Sequence, residues 1–88
     1  MRLIEGHILR QVHGTTVLVP PPEKDIGFHG MIVLNHTGGF VCNMLREETD
    51  RESIALALAR EYGVEPDSVK ADVDAFLSEL DSCNMLEE

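Results

Sequence analysis

The sequence predicts an α+β domain in which a three-stranded antiparallel sheet comes first and three helices follow. Two observations carry that expectation. β-Branched residues flank a glycine turn in residues 8–19, and from Asn35 onward apolar residues recur at helical spacing. A third bounds it: 88 residues are too few to divide a hydrophobic core between two folds, so residues 1–88 are expected to form one domain.

The elements follow in chain order. Ile8-Leu9-Arg10-Gln11-Val12 and Thr15-Thr16-Val17-Leu18-Val19 flank His13-Gly14, the pattern of a hairpin. Pro20-Pro21-Pro22 ends it, because proline has no amide to give a sheet, and residues 20–29 read as a loop, the most mobile part expected here. Gly30 to Leu34 is a short apolar run consistent with a third strand. Asn35 or Thr37 can accept from the free amides of a first helical turn, with Phe40, Val41, Met44 and Leu45 on one face, while Gly38-Gly39 implies close backbone approach. Thr49-x-x-Glu52 is a capping box for a second helix that carries Ile54, Leu58 and Tyr62 at four-residue intervals and halts at Gly63. The third helix is expected from Pro66, with Val69, Val73, Phe76, Leu77 and Leu80 on one stripe and Lys70, Asp74, Ser78 and Asp81 on the solvated face.

Charge and composition exclude several classes. Seven Lys and Arg stand against sixteen Asp and Glu, a net charge of -9, and the first 44 residues balance, so the helical half carries all of it. A chain that binds a polyanion needs clustered positive charge, which makes nucleic acid and anionic membrane poor partners. No apolar run approaches the ~18 residues needed to span a bilayer, and the N-terminus has no basic region followed by an apolar run, so a cytoplasmic protein is expected. Cys42 and Cys83 lack CxxC or Cys/His ligand spacing and are expected to be reduced thiols, Cys42 packed and Cys83 near the end.

No motif points to catalysis. His7, His13, His29 and His36 form no HxxxH or HxxE pair, so they read as surface histidines and no metal is expected. There is no G-x-S-x-G, and Thr37-Gly38-Gly39 lacks the remainder of a phosphate-binding loop, so close packing explains it better. Asp67-Ser68-Val69 looks like the phosphopantetheine attachment site of acyl carrier proteins, but three residues are a short motif and a hairpin precedes them. A helix N-terminal turn in which Asp67 and Ser68 serve free amides is the simpler reading.

Leu34-Asn35-His36-Thr37-Gly38-Gly39-Phe40, Leu45, Thr49, Ile54-Ala55-x-x-Leu58, Tyr62, Pro66 and Asp72-Val73-x-x-Phe76-Leu77, taken together, resemble the PqqD family over about residues 30–86. That family is the prototype of the RiPP recognition elements, which bind ribosomally made precursor peptides for modifying enzymes. The resemblance implies a winged helix-turn-helix-like domain, not itself an enzyme and without a cofactor. It would catch the leader of a precursor as an added strand and present it to a radical SAM or similar maturase. Backbone groups of an edge strand would supply affinity and pockets toward the third helix specificity. The implied peptide-binding residues are Met31, Ile32, Val33 and Leu34 on the strand, with Val69, Lys70, Asp72, Val73 and Phe76 on the helix. Cys42 stands where the family commonly has Trp. A homodimer is left open. A winged-helix DNA binder is the alternative of another class, which the acidic helical half disfavours, and an acyl carrier is a weaker one.

Overall fold

In the computed structural model, which describes residues 1–87, a three-stranded antiparallel sheet is followed by three helices, as expected. Ile8–Val12 (β2) and Thr15–Val19 (β3) pair from Ile8↔Val19 to Val12↔Thr15. His13 and Gly14 close the hairpin at φ 52° and 81°, the paired positive angles of a two-residue turn whose twist matches its strands. Ile32–Leu34 (β4) adds to β3 through Thr16↔Leu34 and Leu18↔Ile32, giving the order β2-β3-β4. This strand is two residues shorter than expected. Continuing the register would set Gly30 opposite Pro20, which has no N–H for a ladder.

Of the two candidate caps for the first helix, His36–Met44 (α1), Asn35 is the one used: its Oδ1 accepts from the Gly38 amide at 2.7 Å. The second helix, Arg51–Tyr62 (α2), corrects the capping box. Asp50 rather than Thr49 is the cap, accepting from the Ser53 amide at 2.8 Å, and Thr49 instead donates its own amide to the Met1 carbonyl at 2.9 Å. Gly63 ends α2 in the left-handed region at φ 66°, as expected. Tyr62, placed on the core stripe by its spacing, is exposed, because its hydroxyl turns to the Thr37 Oγ1 at 2.9 Å.

The third helix is also corrected. Pro66–Ser68 form a single 3-10 turn and the α-helix proper (α3) is Lys70–Ser82. Val69 separates the two, its ψ of -7° ending the tighter turn while its carbonyl takes the Val73 amide at 2.9 Å.

One feature was not expected from the sequence. Arg2–Leu3 (β1) and Leu86–Glu87 (β5) pair as a second, two-stranded sheet. The Leu3 amide donates to the Leu45 carbonyl and the Ile4 amide to the Met85 carbonyl, both at 2.8 Å, tying this ribbon to the ends of α1 and α3. The core lies between the inner face of the main sheet and the helices, with Leu18, Leu45, Ile54, Leu58, Leu77, Leu80 and Met85 fully buried. The 20–29 loop is held at its start and middle: Pro20 and Pro21 are buried, and the Asn84 side-chain amide donates to the Ile26 carbonyl at 2.9 Å. Among the described residues no helix is long and apolar enough to cross a membrane.

Candidate functional site

Among the described residues β4 pairs with β3 on one side only, so its other side presents unpaired backbone N–H and C=O groups. Alternation sorts its side chains. Leu34 is buried in the core and Ile32 packs against it, whereas Val33 lies on the opposite face and is 66% exposed. Beside the open edge runs α3, and between them is a groove of about 360 Å³ lined by Ile32, Val33, Leu34, Asn35, Phe76 and Glu79. Phe76 is half-buried: it packs on the core and shows the rest of its ring to the groove.

The base of the groove is set by a close approach. A Cβ on Gly38 would come within 3.3 Å of Leu34 and of the Asn35 Oδ1 and within 3.4 Å of the Phe76 ring. Glycine at this point lets the first turn of α1 sit against both walls, β4 and α3.

The residues implied for peptide binding fall in three places. Ile32, Val33, Leu34 and Phe76 line the groove, with Met31 just before β4 and 61% exposed. Asp72 is exposed one turn before Phe76 on the same side of α3, since 72, 76 and 79 share a helical stripe. Val69 and Val73 are buried in the core. Lys70 lies on the side of α3 that meets α2, in a shallow cleft with Arg51, Glu52 and Asp74. Its Nζ is 3.0 Å from the Asp67 carboxylate, which holds its pKa up, and Arg51 Nη1 reaches Asp74 at 2.6 Å. Glu79 and Asn35 line the groove without having been singled out. Glu79 is legible as the residue three beyond Phe76 on its stripe, whereas Asn35 stands in the sequence as a helix cap and in the Leu34-to-Phe40 stretch of the resemblance, neither of which marks it as a groove residue.

Other candidates resolve differently. The Ser68 hydroxyl donates to the Glu65 carbonyl at 2.7 Å and Asp67 pairs with Lys70, so neither serves the free amides that sequence assigned them. Cys42 is fully buried, which pushes its pKa up to about 12, and Cys83 is a free, half-buried thiol. No cluster of three His, Cys, Asp or Glu able to hold a metal is present among the described residues.

Residues 15–86 match the family model of coenzyme PQQ synthesis protein D (PqqD). The chain belongs to the PqqD family. No curated relative matches it. Among solved structures, it is similar to one described as TbiB1 in complex with the TbiA(beta) leader peptide, with a TM-score of 0.78 and 23% identity over 99% of this chain and 95% of that one. That likeness shows a shared fold. The two stretches that carry the PqqD resemblance, Leu34 to Phe40 and Asp72 to Leu77, are 32 or more residues apart in sequence. They meet beside the groove, where a Cβ at Gly38 would come within 3.4 Å of both Leu34 and Phe76. Thr15, where the PqqD match begins, is the first residue of β3, so β1 and β2 precede the matched region.

Proposed function

We propose that residues 1–88 act as one peptide-binding adaptor, a RiPP recognition element. It takes the leader of a ribosomally made precursor as a fourth strand on β4 and delivers it to a separate modifying enzyme, a radical SAM or similar maturase. The observation that carries this reading is the open edge of β4 facing the half-buried Phe76 across a groove. Membership of the PqqD family supports it, as does the leader peptide bound to the structurally similar TbiB1. An added strand would pair its backbone with β4 while alternate side chains dropped beside Phe76 and the others lay next to Val33 and Met31. The adaptor itself does no chemistry. Because pairing two copies through β4 would consume the same backbone groups, a homodimer formed that way would compete with the peptide.

The test is calorimetric titration with leaders of precursors encoded beside the gene. Binding that is lost when one edge-facing residue of β4 becomes proline, in a variant that keeps its circular dichroism spectrum, is the expected result. Undiminished binding in both Ile32→Pro and Val33→Pro, each shown to be folded, would remove β4 from the site.

A further inference from the structure

A second cavity, of about 500 Å³, opens between the β2–β3 hairpin and α1. Its polar lining includes Arg10, Gln11, Asn35, His36, Asn43 and Arg46, and among the described residues no Asp or Glu lines it. In a chain of net charge -9 that is against the trend. Of the five cations elsewhere, three are engaged, Arg2 with Glu87, Arg51 with Asp74 and Lys70 with Asp67, while Lys24 and Arg60 stand apart from each other rather than gathered at one site. Among the described residues neither Arg10 nor Arg46 has a carboxylate within 4.0 Å. Arg46 reaches back to the Leu9 carbonyl at 3.5 Å, which places its guanidinium at the cavity wall with most of its five donors unspent. His36 Nε2 already faces Glu61 at 3.7 Å, which leaves the two arginines as the cavity's uncommitted side chains.

The cavity and the β4–α3 groove adjoin at the end of β4, where Leu34 and Asn35 line both. An extended chain advances about 3.3 Å per residue, so a peptide running past the end of β4 would enter the cavity within a few residues. The two ends of the path differ in charge: Glu79 lines the groove with Asp72 one turn before Phe76, and arginines line the cavity.

We propose that the cavity is a subsite for the carboxylate side chains of an acidic segment in the bound peptide. It fixes which way, and in which register, the peptide lies on β4. This rests on the groove reading. The sheet is antiparallel throughout, and antiparallel addition would set the acidic segment N-terminal to the strand-forming residues. An arginine fork matches a carboxylate in two hydrogen bonds, which gives geometric selection that net charge alone does not.

The probe is the synthetic tripeptide acetyl-Asp-Glu-Asp-amide, titrated into the labelled full chain while amide NMR shifts are followed. Acetyl-Asn-Gln-Asn-amide and inorganic phosphate are the controls. Saturating shifts confined to Gln11, Gly39, Asn43 and their neighbours are expected, with affinity about tenfold weaker in Arg46→Gln and again in Arg10→Gln, each checked for dispersed native spectra. No saturable shift, shifts that persist in the double variant, or equal shifts with phosphate would each overturn the assignment. The two readings fail separately. A leader that needs the β4 edge but is indifferent to both arginine variants overturns the subsite and leaves the groove. A tripeptide footprint without any leader binding does the reverse.

Discussion

Phe76 and Val73 lie three residues apart on α3, and sequence puts both on one apolar stripe, yet they answer to different physics. Val73 is 2% exposed inside the core, so Val73→Asp would bury a charge without a partner, a change that costs several kcal/mol and approaches the whole stability of a small domain. The expected outcome is loss of the cooperative circular dichroism melt. Phe76 is only half-buried, so Phe76→Ala should cost about 1–2 kcal/mol of stability rather than the ~3–5 of a fully buried ring. Its effect on binding should be larger. A ring in the centre of a peptide groove is a typical anchor, and about a tenfold or greater loss of leader affinity at retained fold is expected by calorimetry. The two thiols divide the same way. Burial raises the Cys42 pKa from 9.0 to about 12 because a thiolate would be desolvated, so native protein should react with a thiol reagent at Cys83 alone, and at both cysteines once unfolded. With the folded value raised, that preference is intact below pH 9.0 and is lost as pH rises toward about 12.

At the scale of elements, the alternation of β4 gives the sharpest test of the site. Successive residues of a strand turn their amides to opposite neighbours, so of Ile32 and Val33 one N–H serves β3 and the other serves the open edge. Proline at the first should damage the sheet, and proline at the second should leave the fold intact and abolish leader binding. Circular dichroism paired with titration separates them, and two variants that behave alike would contradict the edge assignment. The cap of α2 supplies a second test. The Ser53 amide bonded to Asp50 holds that carboxyl below the ordinary aspartate range, so its contribution is present above the unfolded value and is lost as pH falls toward the folded one. Asp50→Ala should therefore lower the melting temperature at neutral pH and make little difference at strongly acidic pH. Thr49 shows how tertiary contact moves a cap by one residue. Either of two neighbouring polar residues can cap the helix, and although only Thr49 completes a capping box, Asp50 is the cap because the Thr49 amide is drawn into contact with Met1. Likewise β1 and β5 are two residues each, too short for any period to register, and they exist only because tertiary contacts with Leu45 and Met85 hold them. The hairpin, α1 and the end of α2 were legible because a turn, a cap and a left-handed glycine each leave a local mark.

Across the whole molecule, charge is the property sequence reports best in total and worst in place. The total of -9 is read by counting, but the pairing of Lys70 with Asp67 and the gathering of Arg10, on β2, and Arg46, just past α1, at one cavity depend on how these elements come together. That division assigns separate roles in peptide capture. The field of the whole chain acts at a distance and is screened within about 8 Å at physiological salt, so it governs how fast a peptide arrives. Pairing inside a partly enclosed groove is screened less and governs how long the peptide stays. A leader of net positive charge should therefore associate more slowly as salt is raised, while its dissociation rate changes little. Stopped-flow fluorescence of a labelled leader between low and high salt reads both rates in one series. The arginine variants should show the complementary pattern, with faster dissociation of an acid-bearing leader and a nearly unchanged salt slope for association. An association rate that rises with salt for a basic leader would mean that the capture path is dominated by the cationic cavity rather than by the acidic helical half, and that the local arrangement outweighs the net charge even at long range.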